Sequence, residues 1–195
     1  MMFTAPVTLR GEHVLLSPLT PDDAAGLAAA SADGDLSSLW VTPVPAPSEM
    51  DEFVAGRLAE VAAGSWVAFV VRTRPEGRIV GLTNYLNLDP VHPRVEIGGT
   101  WYAASAQRTA VNTETKLLLL GHAFENLGCL AVELRTHVRN LRSRAAIERL
   151  GAHQDGILRK HRILPDGSFR DTVVYSILDD EWPAVRDRLR ARLSR

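Results

Sequence analysis

Glu96 and the segment Gln107–Thr113 carry the residue types and spacing best suited to chemistry in this chain. A carboxylate on a strand can take a proton from an attacking group. A short loop of small and polar residues ahead of a long helix gathers backbone N–H groups at the positive end of the helix dipole, where a phosphate or diphosphate binds. The strand reads Glu96-Ile97-Gly98-Gly99-Thr100-Trp101-Tyr102. Strict alternation puts Glu96, Gly98, Thr100 and Tyr102 on one face and Val95, Ile97 and Trp101 on the other, which makes it half-buried. The loop reads Gln107-Arg108-Thr109-Ala110-Val111-Asn112-Thr113, with Asn112 or Thr113 suited to cap the helix that follows. In that helix Leu117, Leu120, Phe124 and Leu127 form a stripe, and Leu118, Leu119 and Ala123 widen it for packing against a sheet. An ordinary strand–loop–helix connection has the same pattern.

The remaining reactive residue types exclude more than they propose. Cys129 is the only cysteine, so an intrachain disulfide and a thiolate metal cluster are ruled out. Its neighbours Leu127, Leu130 and Val132 predict a buried, inert thiol. The six histidines show none of the spacings that hold a metal on one helix face, so no metal is expected. A formal net charge of −1 from nearly balanced acidic and basic residues implies neither nucleic acid nor an anionic membrane as partner. No run approaches the ~18 apolar residues of a spanning helix. Met1–Pro6 lacks a basic region followed by an apolar core, so a soluble cytoplasmic protein is expected. Neither glycine pattern of the common nucleotide-binding loops occurs.

At 195 residues the chain is long enough for a full core, and one domain over 1–195 is expected. His13 to Pro18 reads as a strand, and Thr20-Pro21-Asp22-Asp23 as the capped start of a helix running to about Ala30. Asp33 to Pro47, with Pro43, Pro45 and Pro47, reads as a loop. Ser48-Glu49-Met50-Asp51 repeats the capping pattern ahead of a helix with Phe53, Val54, Leu58 and Val61 on its apolar face, ending near Gly64. Trp66–Arg72 and Arg78–Leu86 form a hairpin, and Asn87–Pro93 a loop. Leu130–Thr136 is a strand, followed by a helix over 140–150 capped by Asn140 and closed by Gly151. Leu158–Arg162 and Phe169–Leu178 form a second hairpin around Pro165-Asp166-Gly167. A last helix over 181–194 presents Trp182, Val185, Leu189 and Leu193 inward and Arg186, Arg188, Arg190 and Arg192 to solvent.

This α+β order, with antiparallel strands first and one strand–helix–strand crossover in the middle, resembles the GNAT acyltransferases over nearly the whole chain. It implies an α/β/α layered fold around a mixed, mostly antiparallel sheet. The stretches 139–152 (Arg139-Asn140-Leu141-Arg142-Ser143-Arg144-Ala145-Ala146-Ile147-Glu148-Arg149-Leu150-Gly151-Ala152) and 164–176 (Leu164-Pro165-Asp166-Gly167-Ser168-Phe169-Arg170-Asp171-Thr172-Val173-Val174-Tyr175-Ser176) are similar to the RimJ/RimL branch. The family's phosphate loop is Arg/Gln-x-x-Gly-x-Gly/Ala. Here only Gln107 is kept, and Ala110 and Asn112 stand at the glycine-type positions, where a positive φ would cost alanine more than asparagine.

The resemblance implies acetyl-CoA, or another acyl-CoA, as co-substrate. Its diphosphate would lie on the backbone of Gln107, Arg108, Thr109, Ala110, Val111, Asn112 and Thr113, with Arg108 adding a charged contact. Its pantetheine arm would run beside Trp101 and Tyr102. Glu96 matches the general base, Asn140 a contact to the arm, and Ser143 stands where many relatives use Asn-x-x-Ala-x-x-x-Tyr, with Ile147 at the tyrosine position. Trp40, Arg159, His161 and Arg170 are candidates to line the acceptor pocket. The reading is an N-acetyltransferase acting on a protein or small-molecule amine. A succinyl donor, and a silent acyl-CoA-binding module, stay open beside it. Oligomeric state is not readable from the residues; the resemblance suggests a homodimer.

Overall fold

The computed structural model describes residues 3–34, 36, 44–164 and 166–194. In chain order the elements are β1 (Leu9–Arg10), β2 (Val14–Pro18), α1 (Ala24–Ala32), α2 (Met50–Ala62), β3 (Trp66–Thr73), β4 (Ile79–Asp89), β5 (Arg94–Tyr102), α3 (Ala110–Gly121), β6 (Ala131–His137), α4 (Leu141–Leu150), β7 (His153–Ile163), β8 (Phe169–Leu178) and α5 (Trp182–Leu193). The strands form one sheet in the order β1-β2-β3-β4-β5-β6-β8-β7. Every neighbouring pair is antiparallel except β5 and β6, which α3 joins as a parallel crossover. This is the expected α+β architecture.

Register assigns the two faces. Arg72 of β3 donates to Ser17 and pairs with Asp23 at the entrance to α1, so its face looks toward α1 and α2. Val70, Leu82, Asn84, Leu86 and Glu96 share that face through their pairings. Tyr85 points the other way and donates its hydroxyl to the Leu119 carbonyl of α3 at 2.5 Å. Helices therefore cover both faces, with α1 and α2 on one and α3 with α5 on the other. Phe69, Tyr85, Ile97, Val132, Tyr175 and Ile177 are fully or almost fully buried between sheet and helices. Trp182, Val185 and Leu189 seat α5 as its pattern predicts. Its outer arginine Arg186 reaches Glu125 and Asp187.

Several local expectations change. The alternation in β5 does not hold through to Tyr102, because Gly99 takes φ +58 and makes a bulge: Gly98 pairs with Asn84, yet Trp101 pairs with Leu82. The extra residue moves Trp101 onto the face of Glu96 and sends Thr100 and Tyr102 to the α3 face. A Cβ on Gly99 would lie 2.8 Å from Asn84 Nδ2, so both the angle and the space call for glycine. The segment Asn87–Pro93 is loop only in its second half, since β4 runs on to Asp89. The α2 entrance is a 3-10 turn, Pro47–Glu49, fastened by Glu49 accepting from the Ala46 N–H at 3.1 Å rather than capped by Ser48. At α1 the predicted box is present: the Thr20 N–H donates to Asp23 at 2.8 Å.

One side chain of α3 holds the first strands in place. Glu114 is 5 % exposed and accepts the backbone N–H groups of Glu12, His13 and Val14 at 2.8, 2.7 and 2.7 Å. A Cβ on Gly11 would meet that carboxylate at 2.3 Å. Hydrogen bonds to a charged acceptor are the stronger kind, and an unmet buried donor costs about 1–3 kcal/mol. Glu114→Gln replaces one acceptor atom with a donor. It is expected to lower stability by about 2 kcal/mol in urea unfolding with the m-value unchanged; an unchanged midpoint would show that the β1–β2 turn holds without the carboxylate.

Candidate active site

The start of α3 is built differently from its expected form. Thr109, not Asn112 or Thr113, is the cap, with Oγ1 accepting from the Val111 N–H at 3.2 Å while its hydroxyl donates to the Ala106 carbonyl at 2.7 Å. Ala110 and Asn112 therefore lie inside the helix, where glycine is not needed. The left-handed residue is Arg108, at φ +63, a conformation that costs a non-glycine residue about 1 kcal/mol. An α-helix leaves the N–H groups of its first turn without intrahelical partners, so this end remains suited to an anion.

Side chains draw cations to the same place. Gln107 donates to the Tyr102 carbonyl at 2.9 Å and accepts from Arg142 of α4 at 2.6 Å, which ties the end of β5 to α4. Arg78 donates to Ser105 at 3.3 Å and, with Arg74 and Thr109, lines a hollow of about 230 Å³ beside the helix start. Sequence reasoning missed Arg142, Arg74 and Arg78. The spacing Gln107…Arg142 crosses two elements and leaves no local signal.

Glu96 stands where β5 leaves β6. The two strands pair only over Arg94↔Ala131, Val95↔Val132 and Glu96↔Glu133, and then part. Glu96 is 6 % exposed, accepts from Asn87 Nδ2 at 2.7 Å and pairs with Arg135 Nε at 3.3 Å. Burial pushes its carboxyl up; Arg135 and the Asn87 bond oppose this, Glu133 adds to it, and the net is a shift upward from the ordinary glutamate value. A carboxylate so placed is poised to gain a proton nearer neutrality.

On α4, Asn140 caps the helix as expected, its Oδ1 accepting from the Ser143 N–H at 3.0 Å, and Gly151 closes it at φ +103. Ser143 is half-buried in the first turn, and Ile147, at the tyrosine position, is buried in the core. Trp101 is buried with its indole N–H lacking a partner among the described residues. Burial pushes the Tyr102 phenol up, and the neighbouring Thr115 hydroxyl offsets this only in part.

Beneath the bulge, Lys116 of α3 is buried, and among the described residues its ammonium bonds only Thr100 Oγ1, at 3.4 Å, which in turn meets Thr83 at 2.7 Å. Desolvation brings this amine down to about 7. Cys129 is buried and burial pushes its thiol up to about 11, in line with an inert role.

Of the acceptor candidates, Trp40 lies outside the described residues. His161 Nδ1 lies 3.1 Å from Thr172 Oγ1, and Arg170 Nε donates to that same oxygen at 3.1 Å. Arg159 is exposed and lines an open hollow with His161, beside Lys160, which takes φ +47 in an irregular stretch of β7. Among the described residues no group of His, Cys, Asp and Glu is placed to hold a metal, and no helix is long and apolar enough to cross a membrane.

A mixed sheet whose central parallel pair parts beside a buried carboxylate, with a helix start facing the opening, is the framework of an acyl-CoA-dependent N-acyltransferase. The model of the acetyltransferase (GNAT) domain matches residues 13–153, and the chain belongs to that family, whose members use acetyl-CoA as co-substrate. It is 29% identical over 189 residues, 93% of this chain and 98% of the relative, to a "Putative ribosomal N-acetyltransferase YdaF" of Bacillus subtilis. It is similar to the crystal structure of a "putative acetyltransferase" from T. thermophilus, with 35% identity, a TM-score of 0.85, and coverage of 98% of this chain and 100% of that one. Mycobacterium smegmatis RimJ, solved with CoA-disulfide, shares the fold at 23% identity and a TM-score of 0.82, over 98% of this chain and 97% of that one.

The buried amine gives a test. In the folded chain Lys116 loses its proton near pH 7, whereas unfolded lysine holds its own to about 10.4, so between these values the unfolded state binds more protons and stability rises with pH. Lys116→Met removes that linkage. The stability difference, wild type minus variant, is expected to grow in favour of wild type from about pH 7 to about pH 9 in denaturant titrations. A difference that stays flat across that range would show the amine to be solvated.

Proposed function

We propose that the protein transfers the acetyl group of acetyl-CoA to the α-amine of a protein N-terminus by direct attack in a ternary complex. The observation that carries this reading is the parting of β5 from β6 immediately after Glu96 and Glu133. Beyond that point the backbone of β5 has lost β6 as its partner, and an amide-bearing pantetheine arm can take the vacated place much as an added strand would. The opening begins at the buried carboxylate, and β5 leads on to the loop before α3. The ribosomal substrate in the name of the Bacillus subtilis relative supports a protein acceptor here. One acyltransferase domain over 1–195, working in the cytoplasm as a homodimer without metal, nucleic acid or membrane, completes the proposal.

Acetyl-CoA supplies an activated thioester; the residues of this chain do the rest. The backbone of residues 107–113 and the guanidiniums of Arg108 and Arg142 hold the diphosphate, Arg142 exchanging its Gln107 bond for a phosphate oxygen. Asn140, Trp101 and Tyr102 flank the arm. A backbone N–H of β5 at the opening stabilises the charge that grows on the thioester oxygen. Glu96 takes a proton from the ammonium, directly or through one water, and releases it to solvent or to the departing thiolate before the next cycle. An α-amine, with a pKa near 8, needs less help than a lysine near 10.4. Ser143 gives a hydrogen bond to the departing sulfur, whose thiolate is already a fair leaving group.

Thiol release from acetyl-CoA with a panel of peptides, the product mapped by mass spectrometry, tests this directly. Glu96→Gln is expected to lower kcat by about 10²–10⁴ while CoA affinity stays within error. The acidic limb of kcat is expected at higher pH than an ordinary glutamate would give. Since Arg135 holds Glu96 down, Arg135→Gln moves that limb to higher pH. CoA binding with no transfer to any amine would instead mark a silent acyl-CoA-binding module. An unchanged kcat in Glu96→Gln would remove Glu96 from the mechanism.

A further inference from the structure

The sheet face beside Glu96 carries more cations than its carboxylates can pair. Glu96 lies opposite Glu133 on β6; from there Arg135 and His137 follow on the same face, toward the end where β5 and β6 part. His137 lies opposite Thr172 on β8, so Arg170 shares that face, and Arg162 of β7 lies directly opposite Arg170. Both carboxylates are already engaged: Glu133 by Arg94 at 3.3 Å and Arg135 at 2.7 Å, Glu96 by Asn87 at 2.7 Å and Arg135 at 3.3 Å. Among the described residues neither Arg162 nor Arg170 has a carboxylate within salt-bridge distance.

Two guanidiniums directly opposite one another on paired strands repel, and a sheet gains nothing from the arrangement by itself. A solvated arginine pair is the simplest alternative, and it suits exposed Arg162. Arg170 suits it less, being half-buried with its Nε–H fixed on Thr172 Oγ1 at 3.1 Å, so that its remaining donors stand beside Arg162 in a set orientation. Glu96 is within electrostatic reach of both arginines, and His161 is within reach of Arg135, Arg162 and Arg170. The pair therefore lies on the sheet face of Glu96 and within its electrostatic reach. A planar guanidinium pair fits a carboxylate, through two parallel N–H donors each.

We propose that Arg162 and Arg170 seat a carboxylate side chain from the first few residues of the acceptor, so that the N-terminal segment acetylated by this enzyme is acidic. This rests on the α-amine reading above and specifies its substrate.

The test uses two peptides with the same N-terminal residue and a C-terminal fluorophore, one with Asp and Glu at the next positions and the other with Asn and Gln. Anisotropy is read on the CoA-saturated protein. The acidic peptide is expected to bind about tenfold tighter, with the preference weakening as salt is raised. Arg162→Gln with Arg170→Gln is expected to abolish the preference, and Arg162→Lys with Arg170→Lys to restore part of it, all with the Tm of wild type. In turnover the peptides are expected to differ in KM and to share kcat. Equal binding of the two peptides, or a preference that survives the double glutamine variant, overturns the proposal. So does a preference for succinyl-CoA over acetyl-CoA that the double variant abolishes while both peptides bind alike, which would assign the arginines to the acyl group. Because anisotropy needs no turnover, an enzyme that failed to acetylate any amine would refute the acetyltransferase reading without touching this result.

Discussion

Strand β5 has to satisfy two neighbours that want different things from it. With β4 it stays paired from Arg94 to Tyr102, but with β6 it pairs over only three residues. The bulge at Gly99 lets β5 keep β4 while it turns away from β6, because an inserted residue bends and twists the strand that carries it. Asn84 fixes the bulge by donating to the Gly98 and Gly99 carbonyls at 3.1 and 3.4 Å, and it is itself fully buried. The opening, the position of Glu96 at its head and the approach to α3 all follow from that divided pairing.

Glu114, Glu96 and Lys116 are buried, and each is handled differently. Glu114 is met by three backbone donors and fastens the first strands to α3. Glu96 has one amide donor and one guanidinium, enough to hold it in place but not enough to cancel the effect of burial, which leaves it able to exchange a proton. Among the described residues Lys116 has only a long bond to a hydroxyl, and desolvation is left to decide its protonation. The gradient runs from fixed structure to available chemistry, and the carboxylate at the strand divergence lies in the middle of it.

Most of the fold was legible because each element carries its own period and its own stops. The α4 helix was readable down to its cap and its closing glycine, since Asn140 and Gly151 act within one turn of themselves. The β3–β4 hairpin and the α5 stripe were readable for the same reason, whereas β7 begins at His153, ahead of its expected start at Leu158. The faces of β5 were misread because alternation counts residues, whereas a bulge is decided by what the partner strand requires. The α3 cap was placed late, at Asn112 or Thr113. Thr109 serves instead because Arg108 accepts a left-handed turn, which no local composition announces.

Sequence alone determined the order of strands and helices from β2 onward, the box ahead of α1 and the cap of α4, the buried thiol and the candidacy of Glu96 and of the stretch before α3. Those are local matters of periodicity, side-chain reach along the chain and residue chemistry. Tertiary structure alone decided that Glu96 is buried against Arg135, that Gln107 reaches Arg142 and that Arg162 faces Arg170. These depend on register between strands distant in sequence, and a shift of one residue reverses the face on which every such side chain stands.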